Sequence, residues 1–274
     1  MSILVTGGRG AVARSLTTFL AGRGLPYRLA SRAPDTPEAV RCDLADPTTF
    51  AGALAGIRAV FLYAEATGIE AFVEEAGAAG VEHVVLLSSS AVITEDATVN
   101  PLAASHLAVE EALLASSLHT TLLRPGAFAG NARGWSSALS SGRPVRLPHP
   151  GAHSAPIHEA DIAETALTLL TDPARGGGAH TLTGPQSLTF ATQLEILGSA
   201  LGRTLPYEEV TPGQWKADVA EYLPAPYADA LLGYWAAADG VPTSTTDTVE
   251  RFTGHPARSF ATWAQENASD FRRP

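Results

Sequence analysis

The stretch Val5-Thr6-Gly7-Gly8-Arg9-Gly10-Ala11-Val12-Ala13 joins an apolar strand expected at 2–5 to a helix expected at about 11–20. Gly7 permits a tight turn with positive φ, and Gly10 lets the backbone approach a ligand because it carries no Cβ. The helix beyond offers free N–H groups and a positive dipole end to phosphates. The pattern is G-x-x-G-x-x-A rather than G-x-G-x-x-G. An ordinary glycine turn is the alternative, but the position between the opening strand and a helix favours a cofactor site.

Short apolar runs alternate with helical patterns outward from this turn. Strands are expected at 27–30, 59–63, 84–87, 120–123 and 180–183, and helices at 68–79, 159–170 and 190–201. Strands that alternate with helices favour a parallel sheet with right-handed crossovers. The sequence therefore predicts an α/β fold, a Rossmann-type doubly wound parallel sheet.

The residue composition changes along the chain, and this change predicts two domains. Residues 1–183 are expected to form the Rossmann domain that binds the cofactor, with a Gly-, Pro-, Ser- and His-rich loop region at 131–156 near the substrate pocket. Residues 184–274 are expected to form a small, mostly helical C-terminal lobe that binds substrate.

Composition excludes several classes of function. The 274 residues are 45% hydrophobic and carry a formal net charge of −10, which disfavours binding to nucleic acid or to anionic membrane surfaces. Cys42 is the single cysteine, so no intrachain disulfide can form. The apolar runs are too short to span a bilayer, and no signal peptide is recognisable. We expect a cytoplasmic protein; oligomeric state is left open.

The residues after the second and third strands bear on cofactor choice. An NAD site normally places Asp or Glu at the end of the second strand, but this chain has Arg32 there. Arg32 could pair with a 2′-phosphate, with help from Arg9, which favours NADPH. A solvated surface arginine is the alternative. Asp43 either accepts a hydrogen bond from the adenine amino group or caps the helix that begins near Pro47.

A helix is expected to start at Asn100-Pro101 and to run to about residue 116, since Asn is a good N-cap and Pro is favoured at the first helical position. Leu102, His106, Val109 and Leu113 lie on one stripe of this helix. His106 therefore points toward the buried side, and Glu110 lies one turn beyond it.

Four segments together resemble atypical short-chain dehydrogenase/reductases, most closely the NmrA-like branch of NAD(P)-binding proteins and quinone reductases. They are Thr6–Ala13, Cys42-Asp43-Leu44, Leu87-Ser88-Ser89-Ser90 and Leu123-Arg124-Pro125-Gly126. The resemblance covers nearly the whole chain and is specific for cofactor binding rather than for substrate.

The resemblance implies a set of cofactor-binding residues. Those on the pyrophosphate side are Thr6, Gly7, Gly8, Arg9, Gly10, Ala11 and Val12. Those at the adenosine end are Arg32, Asp43 and Leu44. Tyr63 and Ala64 are expected to line the cofactor. Ser88 and Ser90 are expected beside the nicotinamide, and Pro125, Gly126 and Phe128 against its other face.

The usual enzyme of the short-chain dehydrogenase/reductase superfamily has a Tyr-x-x-x-Lys pair for proton transfer, which this chain lacks. His106 and Glu110 have that spacing in the matching helix, and Lys216 is the only lysine. In one interpretation, Glu110 raises the pKa of His106, His106 is catalytic, and Ser90 binds the developing alkoxide. In the other, His106 is a core histidine and Glu110 is solvated. A third possibility is that the substrate needs little proton machinery, as for quinones or for carbonyls beside a phenolic hydroxyl.

These observations predict an NADPH-dependent oxidoreductase that reduces a cyclic aromatic ketone, like the atypical ketoreductases that tailor aromatic polyketides and lack the tyrosine. Ser90 and His106 are the candidate catalytic residues. A quinone reductase and a non-catalytic NADP-binding sensor are the alternatives. His149, His153 and His158 resemble a metal site only superficially, and we expect no metal.

Overall fold

A computed structural model describes residues 2–34, 36 and 39–272. The chain forms two compact units, each built from three segments. Unit 1 comprises residues 1–125, 159–182 and 248–255, and unit 2 comprises residues 126–158, 183–247 and 256–274. This division differs from the predicted 1–183 and 184–274, because the segment 126–158 packs with unit 2 and the helical segment 248–255 packs with unit 1.

The strands are short, and none exceeds seven residues in the described part of the chain. In chain order they are β1 (Ile3–Val5), β2 (Tyr27–Ser31), β3 (Ala39–Arg41), β4 (Ala59–Tyr63), β5 (His83–Leu87), β6 (His119–Pro125), β7 (Val145–Leu147), β8 (His153–Ser154), β9 (Gly178–Leu182), β10 (Leu188–Thr189) and β11 (Tyr207–Glu209).

The α-helices are numbered in the same way along the chain. They are α1 (Ala11–Gly22), α2 (Phe50–Leu54), α3 (Ile69–Ala78), α4 (Ala104–Leu114), α5 (Ser136–Ser140), α6 (Glu159–Thr171), α7 (Phe190–Leu201), α8 (Pro212–Val219), α9 (Ala225–Ala238), α10 (Thr248–Thr253) and α11 (Phe260–Glu266). No helix among the described residues is both long enough and apolar enough to cross a membrane.

Unit 1 contains a seven-stranded parallel sheet in the order β3-β2-β1-β4-β5-β6-β9. Sequential strands run outward in both directions from β1, which is the doubly wound order of a Rossmann-type fold. The central strands β1, β4 and β5 are almost wholly buried, as expected for strands covered on both faces. The predicted fold class is confirmed.

The helix predicted from Asn100 begins four residues later, at Ala104. The Asn100 side chain accepts a hydrogen bond from the N–H of Leu102 at 3.0 Å, which closes a local turn instead of capping a helix. Within α4, Val109 and Leu113 are fully buried, as the stripe predicts.

Unit 2 is built around its own apolar core. Two small sheets pair β7 with β11 in parallel and β8 with β10 antiparallel. Leu194 and Leu197 of α7 pack in the core with Phe260 and Trp263 of α11, whose rings stack 5.6 Å apart. The predicted loop at 131–156 contains α5, β7 and β8, so this segment contributes to the unit rather than forming a plain loop.

Candidate cofactor and active site

The predicted site residues of unit 1 lie where parallel strands end at one edge of the sheet. Thr6 follows β1, Tyr63 ends β4, Ser88 follows β5 and Pro125 ends β6. These strands are neighbours in register, with Val5 beside Phe61, Tyr63 beside Leu87 and Leu87 beside Leu123. Ligands of open α/β sheets bind at this edge, at the point where the strand order reverses.

The glycine turn presents unpaired backbone donors. Gly7 adopts φ of 65°, and its carbonyl accepts the N–H of Gly10 at 2.7 Å. The N–H groups of Arg9 and Ala11 find no acceptor within the described part of the chain. They lie at the N-terminus of the twelve-residue helix α1, where partial positive charge collects. Free donors at such a position fit the phosphates of a dinucleotide.

Thr6 and Gly8 hold the turn in place. The Thr6 hydroxyl donates to the carbonyl of Phe61 at 3.2 Å and accepts the N–H of Tyr63 at 2.9 Å. The N–H of Gly8 donates to the carbonyl of Ala30 at 3.2 Å. These bonds tie the turn to the adjacent strands β4 and β2. Thr6 therefore supports the cofactor turn through its side chain instead of pointing a free hydroxyl at a ligand.

The space above Gly7 and Gly10 is filled by a side chain. A Cβ on Gly7 would lie 2.5 Å from Cδ2 of Tyr63, and one on Gly10 would lie 2.7 Å from its Cζ. The explanation that Gly10 lacks a Cβ only to admit a pyrophosphate is therefore incomplete. The two glycines also make room for the ring of Tyr63.

The three residues expected at the adenosine end, Arg32, Asp43 and Leu44, differ in their exposure and in their hydrogen-bond partners. Arg32 follows β2, is exposed, and has no hydrogen-bond or ion-pair partner in the described ranges, so it is available to a 2′-phosphate. Asp43 accepts the N–H of Ala45 at 3.2 Å, while Asp46 caps the 3-10 helix at Pro47–Thr49. The capping alternative for Asp43 is therefore wrong. The side chain of Leu44 is buried in the core.

A buried ion pair lies beside the ends of β5 and β6. Glu110 of α4 is 1% exposed and accepts the Ser88 hydroxyl at 2.5 Å. The same carboxylate accepts Nε of Arg124 at 2.9 Å and Nη2 at 2.5 Å, a bidentate arrangement. The expectation of a solvated Glu110 is wrong, because Ser88 and Arg124 satisfy its charge inside the protein.

His106 is half-buried in α4, and its Nδ1 is buried without a hydrogen-bond partner among the described residues. Burial lowers the pKa of His106, and the negative charge of Glu110 offsets this only in part. The expectation of a raised pKa for His106 is wrong, because desolvation disfavours the imidazolium more than the negative charge of Glu110 favours it. His106 is thus a neutral imidazole at pH 7.

A neutral His106 has a preferred tautomer. Because a buried N–H without an acceptor costs more free energy than a buried lone pair without a donor, the proton belongs on Nε2. His106 can therefore donate one hydrogen bond from Nε2, and it is a poor general acid. Ser90, at the start of the 3-10 helix Ser90–Ile93, is half-buried, and its hydroxyl bonds to none of the described residues.

Comparison with known proteins agrees with this geometry. Residues 7–173 match the family model described as NAD(P)H-binding. The chain belongs to this family. It is 32% identical to (4-alkanoyl-5-oxo-2,5-dihydrofuran-3-yl)methyl phosphate reductase of Streptomyces griseus, over 98% of this chain and 99% of the relative. It is 29% identical to the NAD(P)H azoreductase of Xenophilus azovorans, over 98% of this chain and 99% of that protein.

A solved structure shares the fold over nearly its full length. The NADPH-dependent quinone oxidoreductase of Escherichia coli, in complex with NADPH, has a TM-score of 0.81 and 21% identity, covering 96% of this chain and 99% of that chain. The chain is an NAD(P)H-dependent oxidoreductase, and its homologues belong to the NmrA-like, atypical short-chain dehydrogenase/reductase group.

Not all the family-derived positions fall in unit 1. Ala64 and Pro125 belong to unit 1, whereas Gly126 and Phe128 belong to unit 2, where Phe128 forms a β-bridge with Ile157. The three histidines of unit 2 have separate partners. His149 bonds Asp239, His153 bonds Ser187 and His158 bonds Glu266.

Sequence reasoning misses the role of Arg124. This residue belongs to the segment 123–126 that carries the family resemblance, but the resemblance gives it no place in the site. The sequence does indicate an ion pair at Arg124, because an arginine inside an otherwise buried parallel strand needs a carboxylate partner. The partner cannot be chosen from the sequence, since Glu110 and Glu111 are adjacent and only the rotation of α4 distinguishes them.

Proposed function

We propose that this oxidoreductase uses NADPH to reduce a carbonyl of a cyclic aromatic ketone, as in the tailoring of angucyclinone-type polyketides. One observation carries the proposal: the candidate site, within the described residues, holds no side chain suited to protonate a substrate at neutral pH. The Glu110 carboxylate accepts hydrogen bonds from Ser88 and Arg124, and burial lowers the pKa of His106. The substrate must therefore tolerate hydride addition without help from a strong general acid.

The cofactor, when bound, supplies a hydride. The N–H groups of Arg9 and Ala11 would hold its pyrophosphate, and Arg32 would hold the 2′-phosphate of NADPH. The remaining residues of the site bind and orient the substrate and exclude water. Hydride transfer between well-oriented partners gains much of its rate from this positioning.

A ketone beside a phenolic hydroxyl meets the requirement. As the carbonyl carbon accepts the hydride, the C=O π electrons move to oxygen, which takes the proton of the neighbouring phenol. The resulting phenolate is delocalised and regains a proton from water. Ser90 donates a hydrogen bond to the same oxygen, and neutral His106 donates one to the substrate or to the cofactor ribose.

A quinone is the second candidate substrate, and the same observation favours it. Hydride addition to a quinone gives an aromatic hydroquinone anion, which also needs no strong acid. Relatives named as reductases of an azo compound and of an unsaturated lactone phosphate, together with a quinone oxidoreductase of the same fold, act on conjugated acceptors.

The test pairs a hydroxylated ketone with its methyl ether. NADPH oxidation is followed at its absorbance band with a polycyclic ketone that carries an adjacent phenol, with the O-methyl analogue, and with a matched quinone. We expect the methyl ether to react about a hundredfold more slowly, since internal proton transfer of this kind contributes about 10²–10⁴. The product of the phenolic ketone should be the alcohol, two mass units heavier.

The other possible outcomes of this assay support different functions or a different proton source. Equal rates for the phenol and its ether would mean that the protein supplies the proton. Turnover of the quinone alone would assign a quinone reductase. Binding of NADPH without turnover of any substrate would contradict the proposal and favour the sensor alternative. Ser90→Ala should lower kcat with the phenolic ketone about a hundredfold, as loss of one oxyanion donor does.

A further inference from the structure

Tyr63, the last residue of β4, lies along the inner side of the glycine turn. Its ring carbons Cδ2, Cγ and Cε2 lie 2.5, 2.8 and 2.9 Å from the position of a Cβ on Gly7. A Cβ on Gly10 would overlap its hydroxyl. A T-shaped contact with Phe61, at 5.8 Å between ring centroids, supports the other side of the ring. The ring is therefore fixed in this position by the strand on one side and by the turn on the other.

The Tyr63 hydroxyl ends at the first turn of α1. Its oxygen accepts the N–H of Ala13 at 3.2 Å and lies close to the N–H of Val12. A phenol has one proton to donate in addition to its acceptor lone pairs. That proton has no acceptor in the described ranges 2–34, 36 and 39–272. Burial raises the pKa of Tyr63, so the proton stays on the oxygen at neutral pH.

The backbone groups that contact this O–H are donors, and the carboxylate of Glu159 lies near enough to contribute to the raised pKa of Tyr63. The N–H groups of Arg9 and Ala11 also lack acceptors among the described residues, and the N-terminal end of α1 is electropositive. The side chains of Arg9 and Arg14 are exposed beside the turn and add positive charge. A group of donors without an acceptor is completed by an anionic oxygen.

We propose that the Tyr63 hydroxyl donates a hydrogen bond to the pyrophosphate of the bound dinucleotide. Tyr63 then has two roles. It fills the space that Gly7 and Gly10 leave open, and it adds a side-chain donor to a site otherwise made of backbone N–H groups. This inference rests on dinucleotide binding and is independent of the substrate that the enzyme reduces.

The experiment compares Tyr63→Phe with the native protein in binding assays that need no turnover. Dissociation constants are measured by calorimetry for NADP⁺, for 2′-phospho-ADP-ribose, which keeps the pyrophosphate but lacks nicotinamide, and for adenosine 2′-monophosphate, which lacks the pyrophosphate. We expect Tyr63→Phe to weaken the binding of NADP⁺ and of 2′-phospho-ADP-ribose about tenfold or more, because a hydrogen bond to a charged group is lost. The affinity for adenosine 2′-monophosphate should be unchanged. Tyr27→Phe, on partly exposed β2, is the matched control and should change none of them.

The alternatives give different results. Unchanged affinity for both pyrophosphate ligands would overturn the proposal and leave Tyr63 as a packing residue. Tighter binding would also overturn it, since the hydroxyl would then compete with phosphate for the N–H groups of α1. Failure of the native protein to turn over any ketone or quinone would refute the proposed function without affecting these dissociation constants.

A second pair of variants tests the packing role. Gly10→Ala should destabilise the native protein because the new Cβ meets Tyr63. Combined with Tyr63→Leu, which replaces the phenol ring with a shorter aliphatic side chain, the same change should cost much less free energy, measured as the shift in the urea unfolding midpoint. Equal costs in both backgrounds would mean that Gly10 is required for another reason.

Discussion

His83 should make the stability of this protein fall steeply in mild acid. The side chain is 2% exposed at the start of β5, its ring stacks on His119 at 4.8 Å, and its Nε2 lies 3.1 Å from the Thr121 hydroxyl. Its Nδ1 has no partner in the described part of the chain. Burial, assisted by the charge of His119, lowers the pKa of His83 from 6.5 to about 4.

The direction of this pH dependence follows from proton uptake on unfolding. Between the folded pKa of about 4 and the unfolded pKa of 6.5, the unfolded chain binds a proton that the folded chain refuses. Stability is therefore retained above about pH 6.5 and is lost as the pH falls toward 4. With these two pKa values, the histidine costs about 2.5 kcal/mol at about pH 4.5 and less than about 0.1 kcal/mol at about pH 7.5.

The assay is urea unfolding, followed by circular dichroism, at those two pH values. His83→Gln keeps a neutral hydrogen-bonding side chain and cannot titrate, so between the two pH values it should lose about 2.5 kcal/mol less of its unfolding free energy than the native protein. His119→Gln should keep most of the native pH dependence, because burial is the larger cause of the shift. If the native protein and His83→Gln lose the same free energy, the histidine is hydrated in the fold and the reasoning is refuted.

Three further predictions concern the site. His106→Ala should lower kcat more than it raises the Kd for NADPH. The native rate should change little from about pH 7 to 8, because burial lowers the pKa of His106 below its ordinary value; a rate that follows a titration between about pH 7 and 8 would contradict this. Glu110→Gln should lower the free energy of unfolding by about 3 kcal/mol, since Arg124 keeps a charge without its counter-ion, whereas exposed Glu111→Gln should change it by less than about 0.5 kcal/mol. Arg32→Ala should weaken NADPH and leave NADH unchanged in calorimetry; equal losses would remove Arg32 from the 2′-phosphate site.

The fold was predictable because its signals are local. Apolar runs of strand length recur between helical patterns, and the predicted 59–63 and 190–201 coincide with β4 and α7. The glycine turn was predictable for the same reason, since three small residues at fixed spacing follow the first strand. The division into units was not predictable, because residues 126–158 and 248–255 pack with segments far away in sequence.

The chemistry of the site was less predictable because it depends on contacts across the fold. Glu110 and Glu111 are equivalent in sequence, yet one is buried against Arg124 and the other is exposed. Spacing alone suggested a His106–Glu110 pair at i and i+4, but Glu110 binds residues from β6 and the end of β5 instead. Likewise, the family resemblance implies that Tyr63 lines the cofactor, but only the structure shows its ring packed against the glycine turn.

The two ends of the sheet edge differ in the kind of group they offer. Near α1, the N–H groups of Arg9 and Ala11 lack acceptors among the described residues, so this end is suited to an anion through geometry that pH does not alter. Near β5 and β6, the charges of Glu110 and Arg124 cancel, and His106 is held neutral by burial. A site of this kind is suited to holding a cofactor but has no proton of suitable acidity to donate to a substrate. It follows that rates across a series of substrates should track the acidity of the substrate's own hydroxyl group rather than the pH of the solution.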